Sequence, residues 1–364
     1  MPLIVDAHQD LAWNALTWGR DYTRSVSATR ALEQNGPAVT EQGSTLLGLP
    51  EYLAGNVAVI CCTLFTAPLR SKEHAWDVIA YSNAQEAHSQ CARQLDYYAR
   101  LVDGCPQFTL VRGRADLEKV LATWNGGDPA RRQVGLIPLM EGADAIREPQ
   151  EAEWWMERGV RLIGLSWYGT RYAGGTKEPG PLTPDGRRLL QVMSDLGLIL
   201  DLAHASDESF LEAIERFEGT VVCTHATVRR LATGPDMYPY PERFLSDEMI
   251  RALGARGGVI GVLPYNRFLV GTWPKGGPKP AVRLEAVVDC IDYICQITGG
   301  AESVGLGSDF DGGFGMEGTP AEIDTIADLQ KLGPALAARG YSERDIAGIL
   351  GGNWLRVLRQ GLPA

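Results

Sequence analysis

The sequence predicts an α/β fold, a (β/α)8 TIM-like barrel with insertions. Short runs rich in Val, Ile and Leu recur eight times along its 364 residues. Most are apolar nearly throughout, as parallel strands covered on both faces must be. Segments with helical spacing lie between them, which a chain needs to return between parallel neighbours. Eight alternating units of this kind close into a barrel. Length alone would allow two domains, but barrels with insertions run past about 300 residues as one, so residues 1–364 are expected to form a single domain.

The first strand falls at about residues 3–7 and leads into Asp6-Ala7-His8-Gln9-Asp10. Side chains of an extended chain alternate between faces, so His8 and Asp10 project to the same side. A polar connection without clear period, residues 21–49, precedes the second strand at 57–64, where Val57-Ala58-Val59-Ile60-Cys61-Cys62 is continuously apolar. The long connection 66–133 carries the longest helical stretch, about 72–102, and an extra strand near 107–111. His74 and His88 fall in it among charged neighbours and are expected to face solvent. Further strands are placed at 134–140, 161–166, 198–203, 220–224, 258–263 and 303–308, with helices at 187–196, 207–217, 246–255 and 284–297. Gly- and Pro-rich segments at 172–185 and 265–280 follow strands and should lie over the barrel mouth, as lids, substrate loops or plain surface connections. Near the end, Gly351-Gly352-Asn353 reads as a helix break before a new helix through Trp354-Leu355-Arg356-Val357-Leu358 that packs against the barrel.

Composition narrows the partners. Forty-five acidic against 34 basic residues, a formal charge of −11, argue against nucleic acid or an anionic membrane surface. No apolar run approaches the roughly 18 residues of a membrane span. The seven cysteines are odd in number and include no CxxC pair. With no basic-then-apolar leader, they are expected to be reduced, mostly buried thiols of a cytoplasmic protein.

Where a barrel carries chemistry, the residues come from the C-terminal ends of several strands. His8 and Asp10 follow the first run, Glu141 follows Leu139-Met140, His204 follows Leu202-Ala203, His225 follows Cys223-Thr224, and Asp309 follows Gly307-Ser308. A core imidazole satisfied by a carbonyl would account for any one of them. Three of the chain's five histidines with three carboxylates at matching positions point instead to metal. Three imidazoles and two carboxylates exceed what one tetrahedral zinc with an open position requires. Two ions about 3.5–4 Å apart fit the count if one carboxylate bridges, and Glu141, between the two pairs in strand order and followed by Gly142, is the natural bridge. Nitrogen and oxygen donors without Cys favour zinc, with Mn, Co and Fe left open. Asp311, just before Gly312-Gly313, reads as a structural turn residue.

These motifs resemble those of the membrane (renal) dipeptidase family, peptidase family M19, among the amidohydrolase-like metal barrels. The resemblance runs from Asp6-Ala7-His8-Gln9-Asp10 through Met140-Glu141-Gly142, Asp201-Leu202-Ala203-His204, Thr224-His225 and Gly307-Ser308-Asp309-Phe310-Asp311-Gly312 to Gly351-Gly352-Asn353-Trp354-Leu355-Arg356. It implies a distorted barrel, usually a homodimer, that hydrolyses dipeptides with two zinc ions. By position it implies that His8, Asp10 and Glu141 hold one ion and Glu141, His204 and His225 the other. It places the family's conserved acid on Asp309, hydrogen-bonded to the bridging water, and its substrate-carboxylate arginine on Arg243, set apart from His225 by an insertion at 232–242. The chain departs from the family after the fourth strand, where a carbonyl-polarising His is replaced within Leu165-Ser166-Trp167-Tyr168-Gly169. Trp167 takes that position. Its indole N–H or the Tyr168 hydroxyl could donate to an oxyanion without an imidazolium's charge, or Trp167 could simply wall the pocket. The expected activity is dipeptide hydrolysis by a metal-bridging hydroxide. Another small amide, lactam or ester is the alternative substrate, and a metal-stabilised binding protein without turnover is the third possibility.

Overall fold

The structure is a computed structural model, and it describes every residue except Met1, Glu73, His74 and Gly127. Its eight barrel strands are β1 (Ile4–Gln9), β2 (Val57–Phe65), β3 (Val134–Glu141), β4 (Leu162–Gly164), β5 (Ile199–Asp201), β6 (Val221–Ala226), β7 (Ile260–Val262) and β8 (Val304–Leu306). Each pairs in parallel with the next, and β8 returns to β1 through Asp6 opposite Leu306, so spatial order follows chain order and the barrel closes. The longest ladder joins β2 to β3, from Val59 opposite Gly135 to Phe65 opposite Glu141. Between β1 and β2 the register shifts after Asp6, just where the functional residues begin.

The extra strand is present as Phe108–Leu110. It pairs with the first half of β3, and β4 pairs with the second half on the same edge. The long helix starts later than its period suggested, at Ala84, and runs to Gly104. Its limit is chemical: the Asn83 side chain accepts the Glu86 N–H at 3.0 Å, an N-cap that ends the helix there. Upstream, Ala67–Pro68 pairs instead with Ala80–Tyr81. His88 does not face solvent. It lies on the buried stripe with Ala87, Cys91, Gln94 and Tyr98, its ring 4.8 and 5.0 Å from those of Trp154 and Trp155. Its charged neighbours occupy the opposite face, which a linear reading of composition cannot separate. His74 lies outside the described residues.

The chain does not break at Gly351-Gly352. A wide helical turn, Gly348–Gly352, joins Glu343–Ala347 to Asn353–Gly361 without interruption. The glycines serve approach instead: a Cβ on Gly351 would sit 2.6 Å from the Leu3 carbonyl oxygen. The final helix crosses beneath the strands. Asn353 donates to the Ala301 and Val304 carbonyls, Arg356 to those of Gly257 and Glu302, and Gly361 lies against Ile199. From it Trp354, Val357 and Leu358 join Val5, Val59, Ile137, Leu162, Ile199 and Val222 in one apolar cluster. All seven cysteines are free, and Cys61, Cys62, Cys91, Cys223 and Cys290 are buried. Among the described residues, no helix is long and apolar enough to cross a membrane.

Candidate metal centre and substrate pocket

The strand ends converge on Glu141, the last residue of β3, held between Phe65 and Gly164 of the flanking strands. Gly142 after it has φ 84°, a conformation a side chain would strain, and turns the backbone away. Three imidazoles face the carboxylate. His8 Nε2 lies 3.4 Å from one oxygen, while His204 Nε2 and His225 Nε2 lie 3.1 and 3.7 Å from the other.

Hydroxyl groups set these imidazoles. Thr224 Oγ1 lies 3.1 Å from His8 Nδ1 and 3.2 Å from His225 Nδ1, and it donates its own proton to Asp201 Oδ2 at 2.6 Å. An oxygen whose hydrogen is committed to a carboxylate can only accept, so both imidazoles carry a proton on Nδ1 and turn their Nε2 atoms toward Glu141. Thr176 Oγ1, from the segment after β4, lies 3.0 Å from His204 Nδ1. Asp10, beyond the end of β1, accepts from the Thr63 hydroxyl of β2 and hydrogen-bonds Asp309. Asp309 itself sits at φ 54° and His204 at φ 64°, positions non-glycine residues rarely occupy. The Asp309 amide donates to the His8 carbonyl at 3.0 Å, which ties β8's end to β1.

The electrostatics call for cations. Burial alone would lower His8, yet Glu141, Asp10 and Asp309 together raise it to about 10. Burial and Glu141 raise Asp10 to about 6, and burial with Asp10 and Glu141 holds Asp309 well above the usual carboxylate range despite His8. Glu141 stays low in spite of burial because His8 and His204 stabilise its charge. Burial and Arg243 lower His204 to about 4, and burial, His8 and Arg243 hold His225 well below the ordinary imidazole range. Three buried carboxylates thus draw protons inward to offset their charge, which a divalent ion would do instead.

The donor set fits such ions. His8 Nε2 is buried without a hydrogen-bond partner, and the Nε2 atoms of His204 and His225 stand 3.0 Å apart, both facing the Glu141 carboxylate. His8, Asp10 and Glu141 bring ligand atoms within 4.8 Å of one another, and so do Glu141, His204 and His225. A third grouping, His8, His225 and Asp309, meets the same limit and was not anticipated.

Over this cluster opens a cavity of about 200 Å³. Arg243 reaches it from the end of a short turn, Pro241–Arg243, buried, with one N–H on the His225 carbonyl at 3.2 Å and the guanidinium 5.2 Å from the Phe268 ring. Trp167 and Tyr168 both line it, their rings stacked at 3.5 Å, with Trp167 edge-on to Phe65 at 4.8 Å. Trp167 is 6.3 Å from the His204 ring between centroids. Asp311 stays out of the cavity. Its carboxylate takes Arg20 at 3.0 Å, Thr45 at 2.6 Å and the Leu46 amide at 2.9 Å.

Sequence reasoning missed the orienting groups Thr176, Asp201 and Thr224, and the cavity residues Trp13, Tyr265 and Arg267. Asp201 was detectable as a carboxylate inside an apolar strand, and Tyr265 stands just past the end of β7. Thr176 and Arg267 fall in the 172–185 and 265–280 segments expected over the barrel mouth, which the structure places at the site, but nothing in their local pattern singled out those two residues.

A sequence profile of the membrane dipeptidase family, peptidase family M19, matches residues 1–361. An uncharacterized protein encoded in the pqqA 5′ region of Klebsiella pneumoniae is 31% identical over 236 residues, 62% of this chain and 82% of that protein. An uncharacterized dipeptidase of Schizosaccharomyces pombe is 26% identical over 279 residues, 75% of this chain but 62% of its own length, so this chain spans under two thirds of that relative. In three dimensions the fold matches a metallo peptidase from Rhodobacter sphaeroides, solved with a phosphinate mimic of the dipeptide L-Ala-D-Ala. Its TM-score is 0.78 at 21% identity over 99% of each chain.

Proposed function

The chain belongs to the membrane dipeptidase family, peptidase family M19, and is by that membership a metal-dependent dipeptidase; from there we propose that it works with two divalent ions sharing Glu141. The observation that carries this reading is the set of three Nε2 atoms gathered on one carboxylate, with a hydroxyl on the Nδ1 side of each ring. His8, Asp10 and Glu141 would hold one ion and Glu141, His204 and His225 the other. Nitrogen and oxygen donors make zinc the first candidate. Ions bound there supply Lewis acidity for the scissile carbonyl and a water acidic near neutral pH.

The protein's own groups do the rest. Arg243 pairs with the substrate's α-carboxylate through its planar fork and sets the amide over Glu141. Asp309, anchored by its amide on the His8 carbonyl, takes up a proton and returns it to the leaving nitrogen. Trp167, stacked on Tyr168 and braced by Phe65, walls the pocket and shields the amide from bulk water. That wall stands where the family carries a His, which favours one alternative, hydrolysis of another small amide, lactam or ester.

The test is metal analysis paired with a substrate panel. Purified protein should carry about two zinc per chain, and chelation should abolish dipeptide turnover that added zinc restores. Turnover confined to lactams or esters would select the alternative. Full metal loading without hydrolysis of any of them would remove the enzymatic reading.

A further inference from the structure

The cavity contains two cations that the reaction above does not use. Arg267 stands on the short helix Asn266–Leu269 after β7, and Lys275 on the Gly- and Pro-rich segment that follows; both line the cavity with Arg243, Glu141 and Asp309. Among the described residues, neither has a carboxylate within ion-pair distance, although Arg20, Arg70, Arg187 and Arg229 each have one. Arg267 Nε is buried without any hydrogen-bond partner. A guanidinium N–H withdrawn from water and left unpaired costs free energy unless something arrives to accept from it.

Ring contacts fix where these cations stand. Arg243 lies 5.2 Å from Phe268, Phe268 lies 5.0 Å from Tyr238, and Tyr238 lies 5.1 Å from Arg267. The two arginines therefore share one wall. The other wall is built from Trp13, Phe65 and Trp167, in contact at 5.5 and 4.8 Å, with Glu41 and Asp77 also facing the cavity. That side is aromatic with acidic groups beside it, and an anion there would meet like charge.

We propose that Arg267, assisted by Lys275 at the rim, is an anion subsite for the side chain of the substrate's C-terminal residue, so that the preferred dipeptides end in aspartate or glutamate. This rests on the dipeptidase reading and on Arg243 taking the α-carboxylate. With that group held, the side chain on the same carbon extends along the wall it shares with Arg267. An acidic side chain there makes charge-assisted hydrogen bonds, while the amide analogue offers only a neutral acceptor and leaves the positive charge uncompensated.

The isosteric pair alanyl-glutamate and alanyl-glutamine tests this on the zinc-loaded protein, with glutamyl-alanine as the positional control. Wild type should favour alanyl-glutamate by about tenfold or more in kcat/KM, mostly through KM, with no such advantage for glutamyl-alanine. Arg267→Gln should bring that ratio close to one by lowering alanyl-glutamate more than alanyl-glutamine. Lys275→Glu, an exposed change that tests the point even where the Arg267 variant fails to fold, should reduce the ratio by a smaller factor. Calorimetry should show free glutamate binding more tightly than glutamine to wild type and not to the Arg267 variant. A wild-type ratio near one with both peptides hydrolysed overturns the subsite and leaves the dipeptidase standing. So does a ratio that survives both substitutions. Failure to hydrolyse any dipeptide overturns both.

Discussion

At the N-terminal end of the strands the barrel is closed by shape, with Trp354, Val357 and Leu358 filling the space between Val5, Val59, Ile137 and Leu162. At the C-terminal end the inward groups are ionisable or carry hydroxyls, and the backbone is strained at His204 and Asp309. Conformations of that kind persist only where the surroundings over-determine them. The floor supplies that rigidity, so the mouth can hold like charges and unusual dihedrals. Metal ligands and stabilising contacts are thereby segregated along the barrel axis.

The sharpest break in that segregation is Glu141→Gln. It should empty both ion sites and reduce turnover by well over about a hundredfold, more than loss of an outer partner costs. Elemental analysis and calorimetry check it, and two retained zinc ions would refute the bridging role. Trp354→Ala should do the reverse. A buried Trp lost from the floor costs about 3–5 kcal/mol, visible as a lower denaturation midpoint, with KM and metal content unchanged in the folded fraction. Thr224→Val sits between the two ends. Removing the hydroxyl that orients His8 and His225 should weaken zinc binding about 10–100-fold in a competition assay with a chelating dye. The smallest effect concerns thiols. Burial raises Cys61, Cys91 and Cys223 above the ordinary thiol range, so they stay protonated through pH 8, where the thiolate is the reactive form. Native protein should be alkylated at Cys105 and Cys295 alone, and stripping the metal should not change that pattern if the floor holds the fold without it.

How much could be read in advance follows the same division. All eight strands were legible because burial on both faces leaves unbroken Val, Ile and Leu runs, and the histidines and acids stood out because they interrupt those runs at their ends. His88 was misjudged because its charged neighbours point the other way around the helix. Gly351-Gly352 looked like a break because glycine marks both helix ends and close approach, and only the Leu3 carbonyl distinguishes them. Trp13 and Arg267 stayed hidden because each sits on a short helix, Leu11–Trp18 and Asn266–Leu269, that contacts made across the fold bring to the cavity, which local spacing does not encode.

The hydrogen bond from the Asp309 amide to the His8 carbonyl has a consequence for timing. It spans the seam where the first and last strands meet, so during synthesis on the ribosome the amino-terminal ligands must wait until β8 emerges before the pocket exists. A chain that ends before β8 lacks Asp309 and the seam it closes, and it should show no turnover however well its early strands pair.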